Sequence, residues 1–391
     1  MRRIRFVVVL CGLILANAGC TRTVHGQLRI VTYNVAKLNS ENAANPNCVP
    51  GSLGAVFASL NDDDRYSPAV APHVYVFQEV PAVDLLPLEA LLNDAAPSGV
   101  TYLPGTYTNN GDQGGAQAMF YRPDTLDEIA CDHLDIPTGG GRETDRWRLQ
   151  VVDNPSPGAG FYIYSSHLKA SPGGPNEDER LVGVMAIRAN ADSLPEGTQI
   201  IFAGDMNFHD NGETGYLEFL SPGAGQAFDP LETGPWDCIA DPTTAIKNTQ
   251  SPRALQSCGL IGGAMDDRFD FQLVTAELLD GVGISLVPGS YRALGNDGLH
   301  CDIAINAGDN MYFPADLARS NALADALHDA SDHLPVVGDY SLPGPCAEVP
   351  DLLMLLAAWG TVTCGPPDLN GDGNVGVPDL LTLLAARGAC K

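Results

Sequence analysis

Hydrophobic residues in this chain gather in short blocks that end on polar side chains. Residues 28–35, 73–80, 116–121, 161–168, 199–204, 269–275 and 335–340 are β-rich apolar runs, and each predicts a buried strand. Helices are predicted at 52–60, at 86–94 with Pro87 in the first turn, and at 177–192. The last opens on acids and repeats Leu181, Val184, Met185 and Arg188 at helical spacing. Loops dense in Gly, Pro and Asn separate these elements, among them 104–115, 137–141 and 221–235. Loops of that length shape a substrate cleft or stay mobile. Strands and helices that alternate imperfectly predict an α/β sandwich built on mixed sheets.

The pattern changes after Pro343-Gly-Pro345, a linker-like triplet. Val349-Pro-Asp351-Leu-Leu-Met-Leu-Leu-Ala-Ala-Trp-Gly360 returns as Val377-Pro-Asp379-Leu-Leu-Thr-Leu-Leu-Ala-Ala-Arg-Gly388, 28 positions on (349 to 377). Each copy sets Leu at helical spacing and stops at Gly, which predicts two short helices packing on each other.

With 391 residues the chain has room for one large domain and a small one. Its formal charge is 21 − 48 = −27. That sign opposes generic nucleic-acid binding, which draws on Lys and Arg for counterion release, but suits a hydrolase whose cations bridge protein carboxylates to an anionic substrate. Met1-Arg-Arg-Ile-Arg5 and the apolar stretch 6–15 read as a signal peptide spanning 1–20. Nothing after residue 20 is long and apolar enough to span a bilayer. Two readings of the processing site stay open: cleavage after Ala16-Asn17-Ala18, or lipidation at Cys20 within Ala18-Gly19-Cys20. Either places the protein outside the cytoplasm or on the cell envelope. Setting aside Cys11 and Cys20 leaves eight cysteines, an even set that predicts disulfides, with Cys238–Cys258 the pairing suggested by closeness in sequence.

The chemistry sits at the strand ends. Asn34 and Glu79 close two apolar runs and form a hard-oxygen pair suited to Mg²⁺ or Mn²⁺, and Asp332 beside His333 offers another oxygen ligand. Asp205 and Asn207 follow the most hydrophobic strand. Asp205 could deprotonate or orient a water, and Asn207 could donate to a phosphoryl oxygen. His167 ends another apolar run, where most histidines are merely core residues. Asp270, inside Arg-Phe-Asp-Phe, needs a partner because an unpaired buried acid costs several kcal/mol, of order 2–7 even for a neutral polar group. The imidazole of His333 would serve.

Taken in order, these segments resemble the endonuclease/exonuclease/phosphatase family, which includes pancreatic deoxyribonuclease, abasic-site endonucleases, neutral sphingomyelinases and inositol polyphosphate phosphatases. The resemblance covers residues 28–342. It implies a four-layer α/β sandwich of two mixed sheets flanked by helices, with a divalent-metal-dependent hydrolysis of phosphodiesters by in-line attack of water. By motif position Asn34, Glu79 and Asp332 resemble the metal ligands, and His167 the phosphate-binding, acid-acting histidine. Asp205 and Asn207 resemble the nucleophile-orienting acid and the phosphate-contacting amide, and Asp270 the acid behind the catalytic His333. The acid that supports His167 in the deoxyribonuclease branch has no clear counterpart; Glu128 and Glu143 are the candidates.

Residues 346–391 carry a second chemistry. Asp368, Asn370, Asp372 and Asp379 occupy positions 1, 3, 5 and 12 of an EF-hand loop, with Gly373 at 6 and the Asn374 carbonyl at 7. Asp at position 12 followed by Leu-Leu resembles the calcium loop of dockerin modules. The twin repeat lacks the acidic loop, so one Ca²⁺ is expected, either as a staple or for docking to a protein partner. Three functions stay in play: a secreted or surface-anchored nuclease, a sphingomyelinase-type phospholipid diesterase, and a calcium-dependent docking or adhesion protein with a vestigial hydrolase domain.

Overall fold

The computed structural model describes residues 26–109, 116–139, 142–154, 156–232, 234–342, 349–361, 367–369 and 372–388. The signal region with Cys20, the 343–345 linker, Asn370, and Cys346, Cys364 and Cys390 lie outside the described residues.

In chain order the strands are β1 (Gln27–Asn34), β2 (Val74–Val80), β3 (Leu103–Pro104), β4 (Ala116–Tyr121), β5 (Leu126–Glu128), β6 (Leu134–Pro137) and β7 (Glu143–Val151). They continue with β8 (Gly160–His167), β9 (Ile200–Asp205), β10 (Asp270–Val274), β11 (Ser285–Leu286), β12 (Arg292–Ala293) and β13 (Val336–Ser341). The helices are α1 (Ser52–Asp62), α2 (Leu85–Ala95), α3 (Gly174–Asp192), α4 (Thr214–Leu220), α5 (Leu317–Ala330), α6 (Val349–Ala357) and α7 (Val377–Gly388). One sheet runs β11-β13-β1-β2-β4-β3 with β12 on β13, and the other β10-β9-β8-β7-β5 with β6 on β7. Both are mixed. Each holds one parallel pair, β1–β2 and β8–β9, flanked by antiparallel neighbours.

Side-chain alternation along these strands builds the layers. Leu28 and Ile30 of β1 and Val74 and Val76 of β2 meet Phe161 and Ile163 of β8 and Ile201 and Ala203 of β9 between the sheets. The intervening Val31, Tyr33, Tyr75 and Phe77 face outward onto Phe57 and Leu60 of α1, Leu88 of α2, and Leu323 and Leu327 of α5. On the opposite side Tyr162, Tyr164 and Phe202 pack on Val184 and Ile187 of α3 and Phe219 of α4. The result is the expected four-layer sandwich of two mixed sheets between helices. Each large apolar side chain fully buried in it contributes roughly 1.5–3 kcal/mol. Polar ties cross the inter-sheet layer near one end: Gln78 Nε2 donates to Ser165 Oγ at 3.0 Å, and Gln272 Nε2 to the Val336 carbonyl at 2.8 Å.

The seven predicted strands all form, as do the three predicted helices, with ends shifted by at most three residues. The α3 stripe is rotated from its expected phase. Met185 is exposed, and the buried face is Val184, Ile187, Arg188 and Ala191. Arg188 is buried because its guanidinium donates to the carbonyls of Glu218 and Phe219 at 2.5 and 2.9 Å. Disulfides form, but not the expected one. Cys238 pairs with Cys301 and Cys258 with Cys48, at Cα separations of 5.8 and 4.9 Å. Closeness in sequence misled because the loops holding Cys238 and Cys258 fold onto different segments. At the C-terminus α6 and α7 pack through Leu355, Val375 and Leu383, as the repeat predicts. Among the described residues no helix is long and apolar enough to cross a membrane.

Candidate active site

The alternation that buries Ile30, Ile163, Ala203 and Val274 between the sheets carries on to the strand ends. Counting by twos, Asn34, His167, Asp205 and Asp270 must share that inter-sheet face. Registry sets them side by side, since His167 and Asp205 are partners across β8–β9, and Asp205 and Asp270 across β9–β10. Gly204 makes this possible: its φ is +128°, and any Cβ there would collide with the backbone of Ser166.

Glu79 breaks the alternation. A regular β2 would point it outward with Phe77, but Glu79 has φ +59° and the β2–β4 register shifts between Phe77 and Val80. Its carboxylate therefore reaches inward, where Asn34 Nδ2 donates to Oε1 at 3.3 Å. Asn34 Nδ2 also donates to Asp205 Oδ2 at 3.1 Å, while its Oδ1 accepts from Ala36 N–H. Ala36, Lys37 and Leu38 follow in a left-handed turn, with φ of 45°, 56° and 50°. That turn holds Lys37 Nζ 3.9 Å from Glu79 Oε2. Such a run costs roughly 1–2 kcal/mol per residue. Strain of this kind collects at functional sites.

Asp332 and His333 arrive just before β13. Ser331 Oγ donates to the Asn34 carbonyl at 2.7 Å and so ties this segment over the strand ends. His333 Nδ1 lies 2.8 Å from Asp270 Oδ2, and its Nε2 lies 3.6 Å from Asp205 Oδ2. The expected Asp270–His333 pair is thus present. His167 Nε2 is 3.5 Å from Asp205 Oδ2 and 3.8 Å from Glu79 Oε1. Asn207, at φ +53°, donates its backbone N–H to Asp205 Oδ1 and its Nδ2 to the Leu168 carbonyl. It closes an Asx turn beside His167. One oxygen of Asp332 accepts from Ile261 N–H at 2.8 Å, and the carboxylate is near enough to Glu79 to repel it.

Burial and charge then divide the groups. Burial pushes the Asp205 carboxyl up to about 7, helped by the Asp270 charge and opposed by His333 and Arg142. Burial alone would lower His333, but Asp270 and Asp205 override it and hold the imidazole well above its usual range. His167 goes the other way: burial first, then Arg142, His333 and Lys37, keep it neutral. Glu79 is raised, chiefly by burial.

A divalent cation fits this donor set. Asp205 and Asp270 stand opposite each other, and Asp270 Oδ1 is buried with no hydrogen-bond partner among the described residues. Asp205, Asp270 and His333 offer ligand atoms within 4.8 Å of one another. Glu79 and Asp332 lie outside that group but offer hard oxygens of the kind Mg²⁺ and Mn²⁺ take, and Asn34, whose Nδ2 faces Glu79 and Asp205, would join them with its amide turned over.

Two contributors gave no sequence signal. Gln250 places its side-chain amide 2.7 Å from His333 Nε2, donating to a neutral ring or, turned over, accepting from a protonated one. Arg142, on the turn between β6 and β7, donates to the Leu168 carbonyl and brings a cation toward His167. Glu128 is drawn elsewhere, accepting from Thr106 N–H through both oxygens. His167 Nδ1 is buried with no hydrogen-bond partner among the described residues. In the C-terminal loop Asp379 folds back to accept from Leu369 and Gly376 N–H, both at 2.7 Å, and Asp368 accepts from Gly373 N–H at 2.7 Å. Asn374 donates its N–H to Asp372 Oδ1 at 2.9 Å.

No family model matches this chain, and no curated protein matches it. Among solved structures it is similar to an endonuclease/exonuclease/phosphatase family protein from Bacteroides thetaiotaomicron, at 14% identity over 82% of this chain and 99% of that chain, TM-score 0.48. A mannosyl-6-phosphatase from the same species is similar at 14% identity over 81% and 100%, TM-score 0.49. D. rerio TDP2 complexed with a single-strand DNA product is similar at 15% identity over 81% and 99%, TM-score 0.48.

Proposed function

We propose that this chain is an exported, divalent-metal-dependent phosphodiesterase that hydrolyses nucleic-acid phosphodiester bonds by in-line attack of water. The observation that carries the reading is the placement of Asp205 between two imidazoles. His333, itself backed by Asp270, lies on one side at 3.6 Å, and neutral His167 on the other at 3.5 Å. A carboxyl near 7 is matched to taking a proton from water at neutral pH. His333, held protonated with Nδ1 on Asp270 and Nε2 shared with Gln250, offsets charge developing on a phosphoryl oxygen. His167, held neutral, orients the phosphoryl group as a hydrogen-bond donor. Glu79, Asn34 and Asp332 would hold Mg²⁺ or Mn²⁺, which would supply Lewis-acid neutralisation of phosphoryl charge. Lys37, Arg142 and Lys169 give the rim a positive character suited to a polyanion, against a net charge of −27 for the whole chain.

The C-terminal module is proposed as a calcium-stapled helical hairpin for docking to a protein partner or a surface. It would hold one Ca²⁺ through Asp368, Asn370, Asp372, Asp379 and the Asn374 carbonyl. The test of the whole reading is incubation of purified protein with Mg²⁺ or Mn²⁺ and plasmid DNA, RNA, sphingomyelin or bis-nitrophenyl phosphate, with a chelator control. Cleavage of nucleic acid that the chelator stops is expected. Cleavage of the lipid alone would replace the nuclease reading, and silence on all four substrates would end the enzymatic one.

A further inference from the structure

A second cluster of ligand-bearing side chains lies on the β6–β7 hairpin, outside the groups that surround Asp205. Asp135 and Asp145 are register partners on these antiparallel strands, so their carboxylates project from the same face. Like charges set directly opposite each other destabilise a sheet, and here Asp145 is fully buried. His133, two residues before Asp135, turns its imidazole onto the same face. Its Nε2 lies 3.5 Å from Asp135 Oδ1 and 3.4 Å from Asp145 Oδ1. The ring is 9% exposed, and Nε2 makes no hydrogen bond among the described residues. Both contacts are of ion-pair length, and neither is a hydrogen bond.

The spacing has a simpler meaning. In a tetrahedral site with bonds of about 2.0–2.1 Å, neighbouring ligand atoms stand about 3.3–3.4 Å apart. All three ligand atoms here fall within 4.8 Å of one another. We infer that His133, Asp135 and Asp145 form a first-row transition-metal site, separate from the catalytic cation, that staples β6 to β7. An imidazole with two carboxylates suits Zn²⁺ or Mn²⁺ rather than Mg²⁺ or Ca²⁺, which prefer all-oxygen shells. Three protein ligands leave a fourth position for water. Trp147 lies beside the His133 ring, with centroids 5.8 Å apart, and walls the site on its apolar side.

The position of the hairpin gives the site a purpose. Its turn carries Arg142, whose carbonyl accepts from Thr138 Oγ1 at 2.7 Å and whose guanidinium reaches the Leu168 carbonyl beside His167. An ion bridging β6 and β7 fixes the base of the lever that presents this arginine.

The test is calorimetric titration of the full chain with Zn²⁺ and, separately, Mn²⁺, in saturating Ca²⁺ and Mg²⁺ so that all-oxygen sites are filled. His133→Ala should bind one equivalent of Zn²⁺ fewer than the wild type, and Glu79→Gln should retain that equivalent. Zinc-edge absorption on the wild type should show one imidazole nitrogen among oxygen neighbours, and it decides the matter if His133→Ala does not fold. Unchanged stoichiometry in folded His133→Ala, loss of the same equivalent in Glu79→Gln, a shell without imidazole, or no binding of either metal by the wild type would each overturn the site.

Discussion

Asp270 and Asp205 face each other across the β9–β10 pair, and His333 joins them, with Nδ1 2.8 Å from one carboxylate and Nε2 3.6 Å from the other. Two buried acids of like charge hold one imidazole protonated and aimed.

Replacing Asp270 by Asn should keep the packing but remove the charge that orients His333. Turnover is expected to fall about 10²–10⁴-fold, the usual range for acid–base assistance. The His333 titration followed by NMR should move down in the same variant. A variant with near wild-type turnover would remove Asp270 from the mechanism.

The pH dependence follows from opposite limbs. kcat/KM should rise through about pH 7 as Asp205 ionises, and fall at higher pH as His333 loses its proton. For stability the sign is fixed by the folded carboxyl lying at about 7, above its ordinary 3.8. The folded state binds the extra proton, so the contribution of Asp205 to stability is largest below its unfolded value and declines as pH rises toward 7. Asp205→Asn should therefore be inactive yet more stable than wild type at pH 8, by up to about 4 kcal/mol for a shift from 3.8 to about 7. At pH 4 the gain should largely vanish, as thermal melts at the two pH values will report.

Glu79→Gln should abolish metal-dependent activity. In the wild type, added Mg²⁺ or Mn²⁺ should raise Tm with concentration, as any ligand that binds only the folded state does. The variant should lose that response in the catalytic range, and an undiminished shift would move the catalytic cation elsewhere.

Gln250→Ala removes the amide that meets His333 Nε2 at 2.7 Å. Imidazole orientation then rests on Asp270 alone, and kcat should drop about tenfold, the scale of one lost hydrogen bond of about 1–1.5 kcal/mol. Folding, read by circular dichroism, should be unchanged.

The Cys48–Cys258 bridge clamps the segment after the Ala36–Leu38 turn to the loop that follows Gln250. Replacing both cysteines by Ser should cost about 2–5 kcal/mol in chemical denaturation. Activity should fall more steeply with temperature than stability does, because the strained turn that places Lys37 relaxes first.

The strand-end chemistry was legible because each site residue lies at or beside an end of an apolar run, and for Asn34, His167, Asp205 and Asp270 period-two alternation then decides its face. What was hidden lacked that grammar. In β7 the sequence reads Glu-Thr-Asp-Arg-Trp-Arg-Leu, too charged to suggest a buried strand, yet Arg146 and Arg148 are buried by pairing with Asp132 at 2.8 and 3.1 Å. In α5 the buried Leu323, Ala324, Leu327 and Ala330 do keep helical spacing, but Asp325, His328 and Asp329 between them dilute it. Gln250 is one amide in Asn-Thr-Gln-Ser, and only its fold-dependent approach to His333 gives it meaning. The outward or inward choice of Glu79 likewise depends on a backbone conformation that residue type does not announce.

Because one parallel pair from each sheet supplies half of the rim, neither half of the polypeptide holds the reactive constellation by itself. The closing member, His333, is among the last segments of the sandwich to leave the ribosome, some 300 residues (333 − 34) after Asn34. On the proposed reading a nascent or half-folded copy lacks hydrolytic capacity, which appears only once both sheets have met.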